Sequence, residues 1–171
     1  MFARPLIKGL LSICAAMALM GPALADEPAP AAQQPVPLTL DQRVSLSVQN
    51  TLEKALDLVG IRYRRGGSSP QTGFDCSGYV SHVFHEGLGL YLPHSAREMS
   101  KTGEPVAKDE LQPGDLVFFN TMRRAFSHVG IYLGDNLFIH APRTGGRIRI
   151  EDMTERYWLK RFNGARRVSG D

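Results

Sequence analysis

Beyond residue 112 the sequence breaks into short strand-like runs, and before that point it reads as helices; this order constrains the fold more than any other feature. LVFFN, HVGIYLG, NLFIHAP, GRIRIED and ARRV are separated by turn residues or loops. Upstream, Val44, Val48, Leu52, Ala55, Leu56 and Val59 recur in steps of three and four, which predicts a helix over 43–59 with one apolar face, closed by Gly60. A second helix is expected from Cys76 to about Glu86, with Val80, Val83 and Phe84 as its buried stripe, Gly87 as its end and Asp75 as its N-cap. Ser95-Ala96-Arg97-Glu98 fits a capping box, so a short third helix should start at Ser95. Pro113-Gly114 fits a type II turn feeding the first strand, and Tyr157 to Phe162 fits one helical turn before the last. Helices followed by consecutive strands predict an α+β fold, an antiparallel meander packed on the helices.

The N-terminal end is set apart from this pattern. Arg4 and Lys8, the apolar run Leu10 to Met20 and the small-residue site Ala23-Leu24-Ala25 make residues 1–25 a secretory signal peptide rather than a membrane anchor. Cys14 lies inside that run, but Ile13 before it is too large for a lipidation site. Residues 26–42 carry Pro28, Pro30, Pro35 and Pro37 and read as a flexible, extended lead. The remainder, 43–171, is expected to form one domain. Removing Arg4 and Lys8 leaves 18 bases against 17 acids, a balance that argues against a nucleic-acid binder.

Loss of the signal peptide also leaves Cys76 as the single cysteine, so no internal disulfide can form. Cys76 opens a helix, where unpaired N–H groups and the positive end of the helix dipole converge. That position is expected to favour the thiolate, which is the nucleophilic form. A cysteine nucleophile needs a base. His82 and His85 lie on the same helix and are expected to be solvated; His94 precedes the capping box, as a loop residue or one that lines a cleft; His128 and His140 lie in two successive strands. If Gly134-Asp135-Asn136 is a three-residue hairpin loop with Asn136 left-handed, Leu133 faces Leu137 and Gly130 faces His140. His128 then shares a face with His140, one diagonal step away and within reach of a ring-to-ring hydrogen bond. A two-residue loop would put them on opposite faces.

Cys76 as nucleophile, His128 as base and His140 as its orienting group is one reading of this set, with the Cys76 N–H aimed at the oxyanion. A zinc site with one open position is a second, although no CxxC or HExxH pair supports it. A buried structural cysteine is the third.

With these residues in place, the chain resembles the NlpC family of cell-wall cysteine peptidases over about residues 47–168. YRRGG, FDCSGYV, LPHSAREM, LQPGDLVFF and SHVGIYLGDNLFIHAP follow in the family's order, and YWLKRFNGARRV is similar to the murein endopeptidase branch of Gram-negative bacteria. His94, where the family often has Arg, and the 121–127 loop depart from the pattern. The resemblance implies a compact papain-like fold with Cys76, His128 and His140 as catalytic residues and no metal or organic cofactor. It implies a Tyr63 hydroxyl near the oxyanion site, and Asp75 and Ser77 holding the stem peptide. Arg97 belongs to a segment that borders the family's cleft. The implied protein is a monomeric peptidoglycan endopeptidase of the Gram-negative periplasm that cuts the D-Ala–meso-diaminopimelate crosslink. The D-Glu–diaminopimelate bond within one stem is the alternative. An acyl or amide transferase on the same fold and a non-catalytic wall-binding protein are the readings from other classes. The terminal bases Arg156, Lys160, Arg161, Arg166 and Arg167 are expected to form a solvated face rather than a polymer-binding patch.

Overall fold

The computed structural model describes residues 38–121 and 124–168; the expected signal peptide, Cys14 and the lead up to residue 37 lie outside them. Helix α1 spans Leu40–Asp57 and starts with a capping box. Thr39 Oγ1 accepts from the Gln42 N–H at 3.3 Å, and Gln42 Oε1 accepts from the Thr39 N–H at 3.0 Å. Residues 40–42, expected in the lead, therefore belong to this helix. Its buried stripe also differs from the expected one. Ala55 is buried as expected and Thr51 joins it, whereas Val44, Leu56 and Val59 are exposed. The cause is the close approach of helix α2, Cys76–Leu88. A Cβ on Gly87 would lie 2.7 Å from the Thr51 Cα, so small residues face the contact. Gly87 thus stays helical, and α2 ends one turn fragment later at Gly89, whose φ of 68° forms the left-handed cap.

Between the two helices, strands β1 (Ser68–Ser69) and β2 (Gly73–Phe74) make a small antiparallel hairpin. Helix α3, Ala96–Met99, has Ser95 at its N-cap as expected, but the capping-box bonds do not form. Ser95 is exposed, so its hydroxyl is left to solvent. Gly114 has a φ of 98°, and the Asp115 N–H donates to the Gln112 carbonyl at 3.0 Å, which closes the type II turn.

Six antiparallel strands follow: β3 (Glu104–Val106), β4 (Leu116–Phe119), β5 (His128–Gly134), β6 (Leu137–His140), β7 (Arg149–Asp152) and β8 (Phe162–Arg167). Their order is β3-β8-β4-β5-β6-β7. The expected meander holds for β4 to β7. Strand β8 leaves it and returns to pair with β4, and β3 extends that edge. Helix α4, Arg156–Leu159, supplies the turn before β8.

All four residues of LVFF are buried. Leu116 and Phe118 join the cluster of Val80, Val83, Phe84, Ile131 and Ile139 under the helices. Val117 and Phe119 join Phe138, Met153, Trp158 and Ala165. The sheet is covered on both faces rather than on the helix side alone, and the unbroken apolar run reflects it. The start of β4 is tied to the end of β8 by Asp115, which accepts from Arg167 Nε and Nη2 at 2.8 Å each. Among the described residues no helix is long and apolar enough to cross a membrane.

Candidate active site

The YRRGG and FDCSGYV segments interlock at the start of α2. The Gly66 N–H donates to Asp75 Oδ2 at 2.9 Å, and the Asp75 N–H donates to the Gly67 carbonyl at 3.0 Å. Asp75 Oδ1 accepts from the Gly78 N–H at 2.7 Å, the expected cap. A Cβ on Gly78 would collide with the Gly67 carbonyl, so residue 78 must be glycine for the helix to seat against the loop. The Ser77 hydroxyl lies 3.1 Å from both Asp75 Oδ1 and the His94 carbonyl and has one proton to share between them. Asp75 and Ser77 are thus engaged in holding the helix start, and neither borders the cleft that Cys76 faces. The cap made by Asp75 is compatible with the substrate-holding role that the resemblance implied.

Cys76 is a free, largely buried thiol that lines a cleft of about 730 Å³ together with Tyr63 and His128. Burial first, and then the Asp75 carboxylate, push the thiol up to about 11 against the main-chain N–H groups of Val129, Ser77 and Cys76 itself, which lower it. The sequence expectation of a favoured thiolate is therefore reversed: the amides are present, but desolvation outweighs them. Tyr63 is also held protonated, by burial first and then by Cys76 and Asp75, so its hydroxyl is a neutral donor. The Tyr63 N–H donates to the Gly146 carbonyl at 2.9 Å and anchors the residue across the cleft.

His128 opens β5 and His140 closes β6, and their rings meet: His128 Nε2 lies 2.7 Å from His140 Nδ1. The parity that permits this is reached by a different route from the expected one. The turn has two residues, Asp135 and Asn136, with φ of 50° and 63°. Pairing runs Ile131 with Ile139 and Tyr132 with Phe138, then shifts so that Gly134, not Leu133, faces Leu137. Leu133 is the extra residue of a bulge, and it restores the phase that a two-residue turn alone would lose. Gly130 faces His140 as expected, and a Cβ there would come 3.2 Å from the His140 Cβ.

The other side of the imidazole pair is a residue that sequence reading missed. His140 Nε2 lies 3.0 Å from Glu151 Oε2, and Arg149 Nε donates to Glu151 Oε1 at 2.6 Å. Burial would raise the Glu151 carboxyl, but bonds to His140 and Arg149 bring it down to about 2. Burial, then the His140 charge, hold His128 well below 6.5, with Glu151 opposing. Burial lowers His140 also, against the Glu151 bond. Trp158 walls both rings, stacked on His128 at 5.8 Å and edge-on to His140 at 5.0 Å. The rings bond to each other and not to a common point, and among the described residues no group of His, Cys, Asp and Glu is placed to hold a metal ion.

The remaining candidates are elsewhere. His82 is half-buried 5.1 Å from the Phe74 ring rather than solvated, while His85 is exposed beside Glu86 and Tyr91. His94 and Arg97 are exposed and do not border the cleft. Of the terminal bases, Arg167 is paired with Asp115, and Arg161 lies 3.9 Å over the Tyr157 ring. The cleft is lined instead by Arg65, Arg124, Arg143 and Arg149 against Glu151 and Glu155, an excess of positive charge.

Residues 60–167 match the NlpC/P60 family. The chain is 42% identical over 129 residues to the murein DD-endopeptidase MepH of Escherichia coli, covering 74% of this chain and 48% of that protein. It is 44% identical over 117 residues to the gamma-DL-glutamyl hydrolase of Bacillus subtilis, covering 68% of this chain and 28% of that one. The chain thus spans less than half the length of these curated relatives. Among solved structures, an NLP/P60 family protein of Staphylococcus aureus superposes with a TM-score of 0.66 at 34% identity, over 82% of this chain and 45% of that one.

Proposed function

Because the chain belongs to the NlpC/P60 family, we propose that it is a thiol hydrolase of peptidoglycan that cuts the D-Ala–meso-diaminopimelate crosslink between stem peptides. The observation that carries this reading is the 2.7 Å bond between His128 and His140 in the same cleft as the free Cys76 thiol. The likeness to a protein named murein DD-endopeptidase supports the substrate and the bond. The excess of arginines in the cleft suits stem peptides, which carry free carboxylates. Export by the N-terminal leader would deliver the enzyme to the periplasm of a Gram-negative cell.

The resting pair is a neutral thiol and a neutral imidazole, so His128 acts as general base during attack rather than as a preformed imidazolium. The Cys76 sulfur adds to the scissile carbonyl as its proton passes to His128. The Cys76 N–H and the Tyr63 hydroxyl stabilise the oxyanion. The tetrahedral adduct collapses to a thioester as His128 returns the proton to the leaving amine. Water, deprotonated by His128, adds to the thioester, and the acid and the thiol are released.

The test is digestion of Gram-negative sacculi by the chain without residues 1–25, with Cys76→Ala beside it and mass spectrometry of the soluble products. Crosslinked dimers should fall and tetrapeptide monomers rise with the parent alone. The likeness to a gamma-DL-glutamyl hydrolase favours a second reading, cleavage within one stem, which would give dipeptide products instead. No turnover by a folded parent refutes both.

A further inference from the structure

The bond from His140 to Glu151 decides where every proton in the imidazole pair resides. A neutral imidazole has one donor and one acceptor nitrogen, and a carboxylate can only accept. Glu151 Oε2 at 3.0 Å therefore places the proton of His140 on Nε2. His140 Nδ1 is then a lone pair, so the 2.7 Å bond must be donated by His128 Nε2. That leaves the Nδ1 lone pair of His128 as the only one available to take the Cys76 proton. In the opposite tautomer, His140 would donate from Nδ1, and the His128 proton would sit on Nδ1, which leaves that ring no lone pair for the Cys76 proton. Doubly protonated His140 has the same effect. Either state removes the base.

We propose that Glu151 is a positioning residue that sets the tautomers of both histidines, and that Arg149 tunes it by neutralising its charge. This deepens the thiol-hydrolase reading and rests on it for its catalytic consequence. The arrangement is built into the sheet. Arg149 and Glu151 are two residues apart on β7, and they pair with His140 and Phe138 on β6 respectively. Arg149 Nε holds Glu151 Oε1 at 2.6 Å, which leaves Oε2 for the histidine. The ionisable groups around His140 are His128 on β5 and Arg149 and Glu151 on β7; Arg124, Arg143 and Glu155 line the same cleft further out. Phe138 and Trp158 close the remainder with rings 4.7 and 5.0 Å from His140. A bare carboxylate would pull a second proton onto His140 as pH falls. The guanidinium opposes that, so the pair stays neutral, with Glu151 as an acceptor.

The test uses the full chain and its Glu151→Ala, Glu151→Gln and Arg149→Gln variants. The ¹⁵N shifts of the histidine rings report which nitrogen carries the proton, independently of turnover. The parent should show Nε2–H for both His128 and His140 at neutral pH. Glu151→Ala should lose that assignment, and kcat should fall about 100-fold with little change in KM, the low end of a general-base contribution. Glu151→Gln keeps one acceptor oxygen where Arg149 and His140 now take one each; with Arg149 on that oxygen the amide NH2 group faces His140 Nε2, so the tautomers should invert and kcat should fall as in Glu151→Ala. The acid limb of the pH–rate profile should move down in Glu151→Gln, which loses a negative charge, and up in Arg149→Gln, which loses a positive one. A merely structural role gives no such opposed shifts. Nδ1–H on His128 in the parent, or unchanged ring shifts and acid limb in Glu151→Ala, overturns the proposal. Parent tautomers as derived, with no cleavage of sacculi, would support the tautomer assignment while refuting the peptidoglycan reading.

Discussion

Alkylation of Cys76 by iodoacetamide should accelerate about tenfold for each pH unit between pH 7 and 10. With the thiol held at about 11, the thiolate fraction at pH 7 is about one in 10⁴. An unperturbed cysteine near 8.5 is about 3% ionised at that pH, about 300 times more. The less acidic thiolate is the stronger nucleophile, with a Brønsted slope near 0.4–0.5, and this recovers roughly tenfold. The net expectation is alkylation about 20-fold or more slower than a free peptide thiol at pH 7. Asp75→Asn adds a second arm. The amide oxygen can still cap α2 through the Gly78 N–H, but the charge that acts after burial to hold the thiol protonated is gone. The curve should shift to lower pH, and the variant should react faster at pH 7. The assay is the rate of mass gain on the folded chain, with Cys76→Ala as the blank. A rate independent of pH between 5 and 8 would mean a thiolate–imidazolium pair at rest, and the general-base account of the first step would be wrong.

Two further outcomes test the scaffold. Gly78→Ala should destabilise the domain by about 2 kcal/mol through collision with the Gly67 carbonyl, read as a lower thermal midpoint, and it should also slow Cys76 turnover. An unchanged midpoint would remove the interlock of the two glycine segments as the device that seats the nucleophile. His128 and His140 are both held below 6.5, so below that pH the unfolded chain takes up protons that the folded chain refuses. Stability should therefore be fully present above about pH 6.5 and fall as pH drops toward the folded-state values, by at most about 1.4 kcal/mol per pH unit per group. Urea midpoints at pH 7 and 5.5 measure this, His128→Gln should flatten the slope, and equal slopes in parent and variant would refute a buried neutral His128.

The sequence made α2, the type II turn at Pro113-Gly114 and the strands β4 to β7 legible, because each is marked by local periodicity and turn residues. What it hid depends on contacts distant along the chain. The expected stripe of α1 holds at Ala55, which is buried, and at Leu52, which packs against the core, but the contact with Gly87 selects small residues, so Thr51 is buried while Val44, Leu56 and Val59 are exposed. Strand β3 contains Pro105 and only three residues, too little pattern to read as a strand. The return of β8 to β4 is a choice of edge that no local signal encodes. Within the site, His128 and His140 could be brought together by strand parity. Glu151 could not, since RIED reads as an alternating exposed strand. The available signal was the spacing of Arg149 and Glu151 on one strand face, which acquires meaning only once β7 is paired with β6. The thiol was misjudged because a helix start is local, whereas its burial is a property of the assembled cleft.

The bulge at Leu133 has a consequence for how this hairpin can change. Side-chain direction along a strand is a two-valued quantity, and the turn and the bulge each flip it once. Shortening or lengthening the Asp135-Asn136 connection by one residue is silent only if the bulge is lost or gained in the same event. Otherwise His140 points into the helix-side core, and an apolar neighbour takes its place beside His128. Libraries of loop length at this hairpin should therefore keep activity in alternate members rather than decline smoothly. Natural variation there should couple two positions that touch no substrate.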